Sequence, residues 1–164
     1  SCLPKDLLGL QTIGKSLKLD LPVLNSISYS NDLQIDRAFN IIKNFKESDI
    51  LILGVTFKKD TDDLRNSPSV SLINLLNNTQ SKNIRVYDPN LENLDSTLIK
   101  NYFNPELIIN DLRDGLNKSK IICLMLNYNQ FVDEIFNVNN KIIIDFCKIK
   151  FDLNNTNKYY GINW

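Results

Sequence analysis

Hydrophobic positions along this chain change their period once, and the change divides it. Leu7, Leu8, Leu10, Ile13 and Leu17 recur at roughly helical spacing up to Lys18. Asp20-Leu21-Pro22 punctuates, and Pro22 suits the first turn of a following helix. Leu24, Ile27, Ile35, Ala38, Phe39, Ile42 and Phe45 then mark one stripe of a long helix reaching about Lys46, interrupted by polar residues at 28–32. Past Glu47-Ser48 the helical period gives way to short apolar runs of strand length. These runs fall at 50–55, 84–87, 120–126 and 142–146, with a short one at 159–162. Between them, 69–77, 91–100, 112–116 and 131–136 read as helices, and 107–109 as a short edge strand. Run 120–126 is apolar on both faces, as a central strand of a parallel sheet requires.

Strands alternating with helices predict an α/β chain: a long N-terminal helix region, then a Rossmann-like, doubly wound parallel sheet with right-handed crossovers. The expected division is 1–48 for the helical region and 49–164 for the sheet domain. A helix as long as the second one needs a surface to pack on, either a partner subunit or the core itself.

The densest polar stretch lies in the first strand-to-helix connection, Phe57-Lys58-Lys59-Asp60-Thr61-Asp62-Asp63-Leu64-Arg65-Asn66-Ser67-Pro68. Open α/β sheets bind ligands beyond the carboxyl ends of their strands, so this loop is a candidate site. A solvated loop with internal ion pairs is the plainer reading of such a charge run. No G-x-G-x-x-G follows run 50–55, where Gly54 is the sole glycine, and G-x-x-x-x-G-K-[ST] is absent. The sheet therefore carries no standard dinucleotide fingerprint.

Composition narrows the chemistry. With 43% hydrophobic and 23% charged residues in 164, the chain is an ordinary globular one able to bury a core. Its net charge of +0 gives no electrostatic footprint for nucleic acid or an anionic membrane. No apolar run approaches transmembrane length and no signal peptide is visible, so a cytoplasmic location is expected. The absence of histidine excludes Ser-His triads, imidazole bases and His-ligated metals. The cysteines, Cys2, Cys123 and Cys147, are odd in number and widely spaced, which fits neither a disulfide framework nor a zinc site. Cys123 and Cys147 lie in apolar runs, as small buried hydrophobes do. Cys2 stands in a polar opening segment instead.

Two segments together resemble a known family. Ser1-Cys2-Leu3-Pro4-Lys5-Asp6 is similar to the S-C-L-P-K-D segment of the UDP-glucose/GDP-mannose 6-dehydrogenases. Residues 54–68, GVTFKKDTDDLRNSP, are similar to that family's G-x-x-F-K-x-x-T-D-D-x-R-x-S-P segment, and Tyr87-Asp88-Pro89 to its strand-end Y-D-P. Their order, with a long helix between them, is also the family's. The resemblance covers essentially the whole chain. It implies a piece of a longer enzyme whose NAD-binding Rossmann domain precedes these residues, leaving a linking or dimerisation helix and the C-terminal nucleotide-sugar-binding domain. Leu7-Leu8-Gly9-Leu10, Asn66-Ser67-Pro68 and Gly161-Ile162-Asn163-Trp164 look most like the GDP-mannose enzymes. Enzymes acting on UDP-glucose or UDP-N-acetylhexosamine share most of these features.

The resemblance implies oxidation of a sugar C6 alcohol to a carboxylate, GDP-mannose to GDP-mannuronate, in two hydride transfers to NAD through a cysteine thiohemiacetal and thioester. Cys2 would be the nucleophile and Asp6 the base or water-orienting carboxylate. Phe57 and Lys58 would bind the nucleotide sugar, and Lys5 and Arg65 would contact the cofactor. Asp62 and Asp63 would orient Lys58, Arg65 and the loop, and Lys59 could be purely solvated. Some UDP-glucose enzymes carry a substrate-binding arginine after a later strand, where this chain has Asp145-Phe146-Cys147-Lys148 and no arginine. The implied partners are a nucleotide sugar and a second copy bound through the long helix, and the implied setting is precursor supply for an acidic polysaccharide. A binding or oligomerisation module without chemistry is the competing reading, though it needs neither Cys2 nor Asp6.

Overall fold

The computed structural model describes residues 2–46, 49–79, 82–92, 94–149 and 156–162, and of Cys2 the backbone alone. Two helices come first, α1 (Cys2–Ser16) and α2 (Pro22–Lys43). The polar opening segment is already in the first turn of α1, and Pro4 fits there because first-turn N–H groups need no helical partner. Lys18, at φ 57, reverses the chain between the two helices. Gln11 Nε2 then donates to the Leu24 carbonyl at 2.8 Å across the hairpin. α2 runs unbroken through the polar residues 28–32, which are all exposed, and stops at Lys43, three residues short of the expected end.

Five parallel strands follow: β1 (Asp49–Leu53), β2 (Asn83–Tyr87), β3 (Ile121–Leu124), β4 (Ile142–Asp145) and β5 (Lys158–Gly161). Their order is β2-β1-β3-β4-β5. Side chains alternate between faces along each strand. Ile50, Ile52, Ile84, Val86, Ile121, Cys123, Ile142 and Ile144 form one core with Leu72, Ile73 and Leu76 of α3 (Pro68–Asn78). Leu51, Leu53, Ile122, Leu124 and Ile143 form the other with Leu116 of α5 (Leu112–Lys118) and Phe131 and Ile135 of α6 (Asn129–Ile135). Both faces are thus covered, and the near-continuous apolar runs of β1, β3 and β4 follow from that.

The last turns of the long helix pack on the core, one of the two surfaces expected of it. Ala38 and Ile42 in its last turns are buried in the first core, with Phe39, Ile41 and Phe45 packed against it. Its first half is exposed, as is α1: Leu3, Leu8, Ile13, Leu17, Val23 and Tyr29 each keep more than half of their surface in solvent. The boundary expected at Glu47-Ser48 lies outside the described residues.

Two expected elements differ. The helix over 91–100 shrinks to the single turn α4 (Ser96–Ile99), because the Asp95 side chain accepts the Thr97 N–H at 2.8 Å and caps a helix start there. The edge strand at 107–109 is instead a 3-10 turn, Pro105–Leu107, followed by one isolated parallel bridge between Val86 and Ile108. Pro105 sets the helical φ at the turn's first position and leaves too few residues for a ladder. The other strands and helices lie within a few residues of their expected bounds, and of the closing Gly161-Ile162-Asn163-Trp164 only the first two residues are described.

Candidate functional site at the carboxyl ends of β1, β2 and β3

The sheet order reverses between β1 and β3, the place where connections diverge to opposite faces and open sheets hold ligands. The loop 54–67 leaves β1 there. Gly54 is its pivot, at φ 90, with its N–H donating to the Tyr87 carbonyl at 2.9 Å. A Cβ at this position would stand 2.5 Å from Leu126 Cβ and 2.9 Å from the Leu126 amide nitrogen, so neither the torsion nor the space admits a side chain.

Asp88, at the end of β2, fixes the next two residues. It is buried, and its Oδ2 accepts the N–H of Val55 at 2.7 Å, the N–H of Thr56 at 3.1 Å and the Thr56 hydroxyl at 3.2 Å. Its Oδ1 accepts the backbone N–H and the side-chain amide of Asn90 at 2.9 and 3.2 Å. The far end of the loop is closed by Ser67. Its hydroxyl donates to the Val55 carbonyl at 2.6 Å, although its position is the N-cap of α3. Asp60 and Asn66 take left-handed φ values of 62 and 56, which Asp and Asn tolerate better than most residues.

On this frame Phe57 is half-buried and Lys58 exposed. The Phe57 N–H donates to the Asp63 carbonyl at 2.6 Å, and the Lys58 carbonyl accepts the Thr61 hydroxyl at 3.0 Å and shares the single Thr56 hydroxyl proton, at 3.1 Å, with Asp88 Oδ2. Their backbones are pinned, while the Lys58 ammonium faces solvent. Arg65 is turned onto Asp63: Nε and Nη2 reach the two carboxylate oxygens at 2.9 and 3.0 Å, and the Arg65 N–H adds a third bond at 2.9 Å. Hydrogen bonds from the Arg65 side chain and backbone lower the Asp63 carboxyl from 3.8 to about 2. Asp63 therefore orients Arg65, as expected, whereas Lys59 is not purely solvated. Its Nζ lies 5.3 Å from the centroid of the Tyr128 ring.

The other expected residues stand on α1. Lys5 and Asp6 are exposed in its opening turns with 4.0 Å between Nζ and Oδ1, and Cys2 is its first residue. Among the described residues no hydrogen bond or ion pair joins Lys5 or Asp6 to the loop.

Asp88, Asn90 and Tyr128 were not singled out by the sequence as site residues. The signal was there: Asp88-Pro89-Asn90 and Asn127-Tyr128-Asn129 are the polar residues that follow the apolar runs of β2 and β3. β4 ends similarly. The buried Asp145 accepts the N–H groups of Cys147 and Ile149, both at 2.6 Å, and the Tyr159 hydroxyl. Burial, with Asp145 adding to it, pushes the Cys147 thiol up to about 12, and burial alone raises Cys123 further.

The turn after β1 carries no dinucleotide fingerprint. The turn after β1 closes on Leu126 through Gly54, and the acidic residue at the end of β2, which in dinucleotide folds meets a ribose, has both oxygens occupied by Val55, Thr56 and Asn90.

The domain is thus of the doubly wound α/β class, in which ligands bind at the switch point that this polar loop occupies. Residues 51–151 match the UDP-glucose/GDP-mannose dehydrogenase family, UDP binding domain. The chain is 34% identical over 131 residues to the GDP-mannose 6-dehydrogenase of Pseudomonas syringae pv. tomato, covering 76% of this chain and 30% of that protein. To the UDP-glucose 6-dehydrogenase of Rickettsia conorii it is 30% identical over 160 residues, 91% of this chain and 36% of the relative. Among solved structures, a ternary complex of GDP-mannose dehydrogenase from Pseudomonas aeruginosa superposes with a TM-score of 0.84 at 28% identity, over 100% of this chain and 39% of that one. The chain belongs to the UDP-glucose/GDP-mannose dehydrogenase family, as its C-terminal domain, and spans about a third of the length of these relatives.

Proposed function

We propose that this chain is the nucleotide-sugar-binding part of an NAD-dependent nucleotide-sugar 6-dehydrogenase, with GDP-mannose as the substrate. The observation that carries the reading is the loop at 54–67. It lies at the switch point, its backbone is held from Asp88 and Ser67, and it offers an aromatic ring and an unburied cation side by side. Phe57 supplies an apolar face to the ligand, and Lys58 a mobile ammonium for a phosphate or a sugar carboxylate. The GDP-mannose 6-dehydrogenases among the relatives favour that sugar nucleotide over UDP-glucose.

The chemistry is assigned to the start of α1. Cys2 is the nucleophile whose sulfur carries the C6 carbon as a covalent adduct, and Asp6 takes the proton of the water that releases the acid. A position at the first residue of a helix favours the thiolate. Lys5 and Arg65 are cofactor contacts, and NAD is held mainly outside this chain, a reading supported by the missing glycine fingerprint after β1. Residues 1–48 form the catalytic-cysteine and linking segment and 49–164 the binding domain. The exposed apolar faces of α1 and of the first half of α2 serve a homodimer. No helix among the described residues is long and apolar enough to cross a membrane, and we place the protein in the cytoplasm.

Calorimetric titration of the chain with GDP-mannose and with UDP-glucose tests the reading. Saturable binding with GDP-mannose the tighter supports it, and silence toward both removes it. The alternative, a binding or oligomerisation module without chemistry, is decided by replacing Cys2 with Ser in the enzyme that also carries the NAD-binding domain. Undiminished formation of the acid would exclude Cys2 as nucleophile.

A further inference from the structure

The loop that carries Phe57 and Lys58 is held from Asp88 and Ser67 and, at Asp60, from beyond β3 as well. Asp88 fixes Val55 and Thr56. Four residues on, the Asp60 N–H donates to the hydroxyl of Tyr128 at 2.9 Å. Tyr128 lies beyond β3, at the start of α6, and its hydroxyl also accepts Asn90 Nδ2 at 2.6 Å. Asn90 in turn is held through its backbone and its amide by Asp88 Oδ1. The contacts close a ring, Val55/Thr56–Asp88–Asn90–Tyr128–Asp60, that spans the carboxyl ends of β1, β2 and β3. Phe57, Lys58 and Lys59 are the residues it encloses. The Tyr128 ring is itself buried and braced edge-on by Phe131, 5.1 Å between centroids. Its outer face takes the neighbouring cation, Lys59, although Lys58 and Lys59 are both exposed.

We propose that Tyr128 is a positioning residue for the nucleotide-sugar loop: its hydroxyl fixes Asp60, and so the placement of Phe57 and Lys58, while its ring face meets the Lys59 ammonium. This rests on the assignment of Phe57 and Lys58 to the substrate. A phenol is suited to the task, because one rigid side chain supplies two acceptor lone pairs and a π face. Burial raises its proton affinity, so the hydroxyl stays neutral throughout the physiological range.

Tyr128→Phe isolates the hydroxyl, since the ring, its Phe131 contact and its face toward Lys59 are kept. Two measurements on the full chain decide the matter. The first is hydrogen exchange at the Asp60 amide, expected to be protected in the wild type and at least about tenfold faster in the variant, with the β1 and β3 amides unchanged. The second is calorimetric affinity for GDP-mannose, expected to fall about three- to tenfold in the same variant. An Asp60 amide that exchanges equally in both proteins overturns the clasp. Faster exchange with undiminished affinity overturns the positioning role, because the loop would then bind equally well unpinned. If the wild type binds no nucleotide sugar, the substrate reading fails, and the exchange result still decides whether the hydroxyl holds the loop. Lys59→Ala should leave affinity within about twofold, and a loss as large as that of Lys58→Ala would overturn the division of labour between the two lysines.

Discussion

Asp88 Oδ2 lies 2.7 Å from the amide nitrogen of Val55, a residue 33 positions earlier in the chain. Through that bond the end of β2 dictates how the chain leaves β1, before any side chain of the loop is placed. The carboxylate is buried and accepts five hydrogen bonds from three residues, so its removal strands several donors at once. Each buried unsatisfied donor costs about 1–3 kcal/mol. Asp88→Ala is therefore expected to lower unfolding stability by about 3 kcal/mol or more, read by urea denaturation. A loss below about 1 kcal/mol would show that water replaces the carboxylate without consequence.

Lys58 and Lys59 should separate in a binding assay. Lys58→Ala removes an exposed ammonium whose backbone stays pinned by Thr56 and Thr61, so stability should change by less than about 0.5 kcal/mol. Loss of one charge-assisted contact to a phosphate or carboxylate is about 1.5–3 kcal/mol, or more than tenfold in affinity for the nucleotide sugar. Equal affinities for wild type and variant would remove Lys58 from the site.

The Asp63–Arg65 pair gives the loop a defined acid response. The Asp63 carboxyl lies near 2 in the folded chain against an ordinary 3.8, with the Arg65 hydrogen bonds as the main cause. A depressed folded value means that the pair's contribution is fully present above about pH 4 and is lost as pH falls through about 2. Carboxyl-carbon NMR should place the Asp63 midpoint near 2 in the wild type, and Arg65→Ala should move it back toward 3.8. A midpoint already near 3.8 in the wild type would mean that the fork-like contact does not persist in solution.

Gly54 tests how tightly β1 and β3 close at their carboxyl ends. Gly54→Ala combines φ 90 with a Cβ 2.9 Å from the Leu126 amide nitrogen, and backbone cannot move aside as a flexible side chain can. A destabilisation of about 2 kcal/mol or more is expected in thermal or denaturant unfolding. A neutral variant would show that Leu126 yields.

The architecture was legible where one physical signal dominated. Doubly covered strands must be apolar on both faces, so β1, β3 and β4 stood out as runs, and the switch from period 3.6 to strand-length runs marked where the sheet begins. The region 91–109 was misread because local polar chemistry decides it: the Asp95 cap, the Asn104 side chain accepting the Glu106 N–H at 3.1 Å, and Pro105. Apolar spacing does not report caps. The loop's charge marked the site, and the family resemblance named Phe57, Lys58 and Arg65. Asp88 and Tyr128 escaped because their importance lies in pairing with residues 33 and 68 positions away, which no local pattern encodes. The exposure of Lys58 beside an engaged Lys59 was invisible for the same reason.

The three cysteines should differ sharply in reactivity, and the difference isolates Cys2. At pH 8 a thiol raised to about 12, as Cys147 is, exists as thiolate on the order of one part in ten thousand. Cys123 is buried completely within β3 and is held further toward the thiol. The family resemblance makes Cys2 the nucleophile, and its neighbours Leu3, Pro4, Lys5 and Asp6 are all exposed. Ellman's reagent on the native chain at pH 8 should therefore show one fast equivalent, and three after denaturation. Cys2→Ser should abolish the fast phase and leave the slow ones untouched. A fast phase that survives the substitution would mean that Cys147 or Cys123 opens readily to solvent. It would also remove reactivity at the head of α1 as support for Cys2 as the nucleophile.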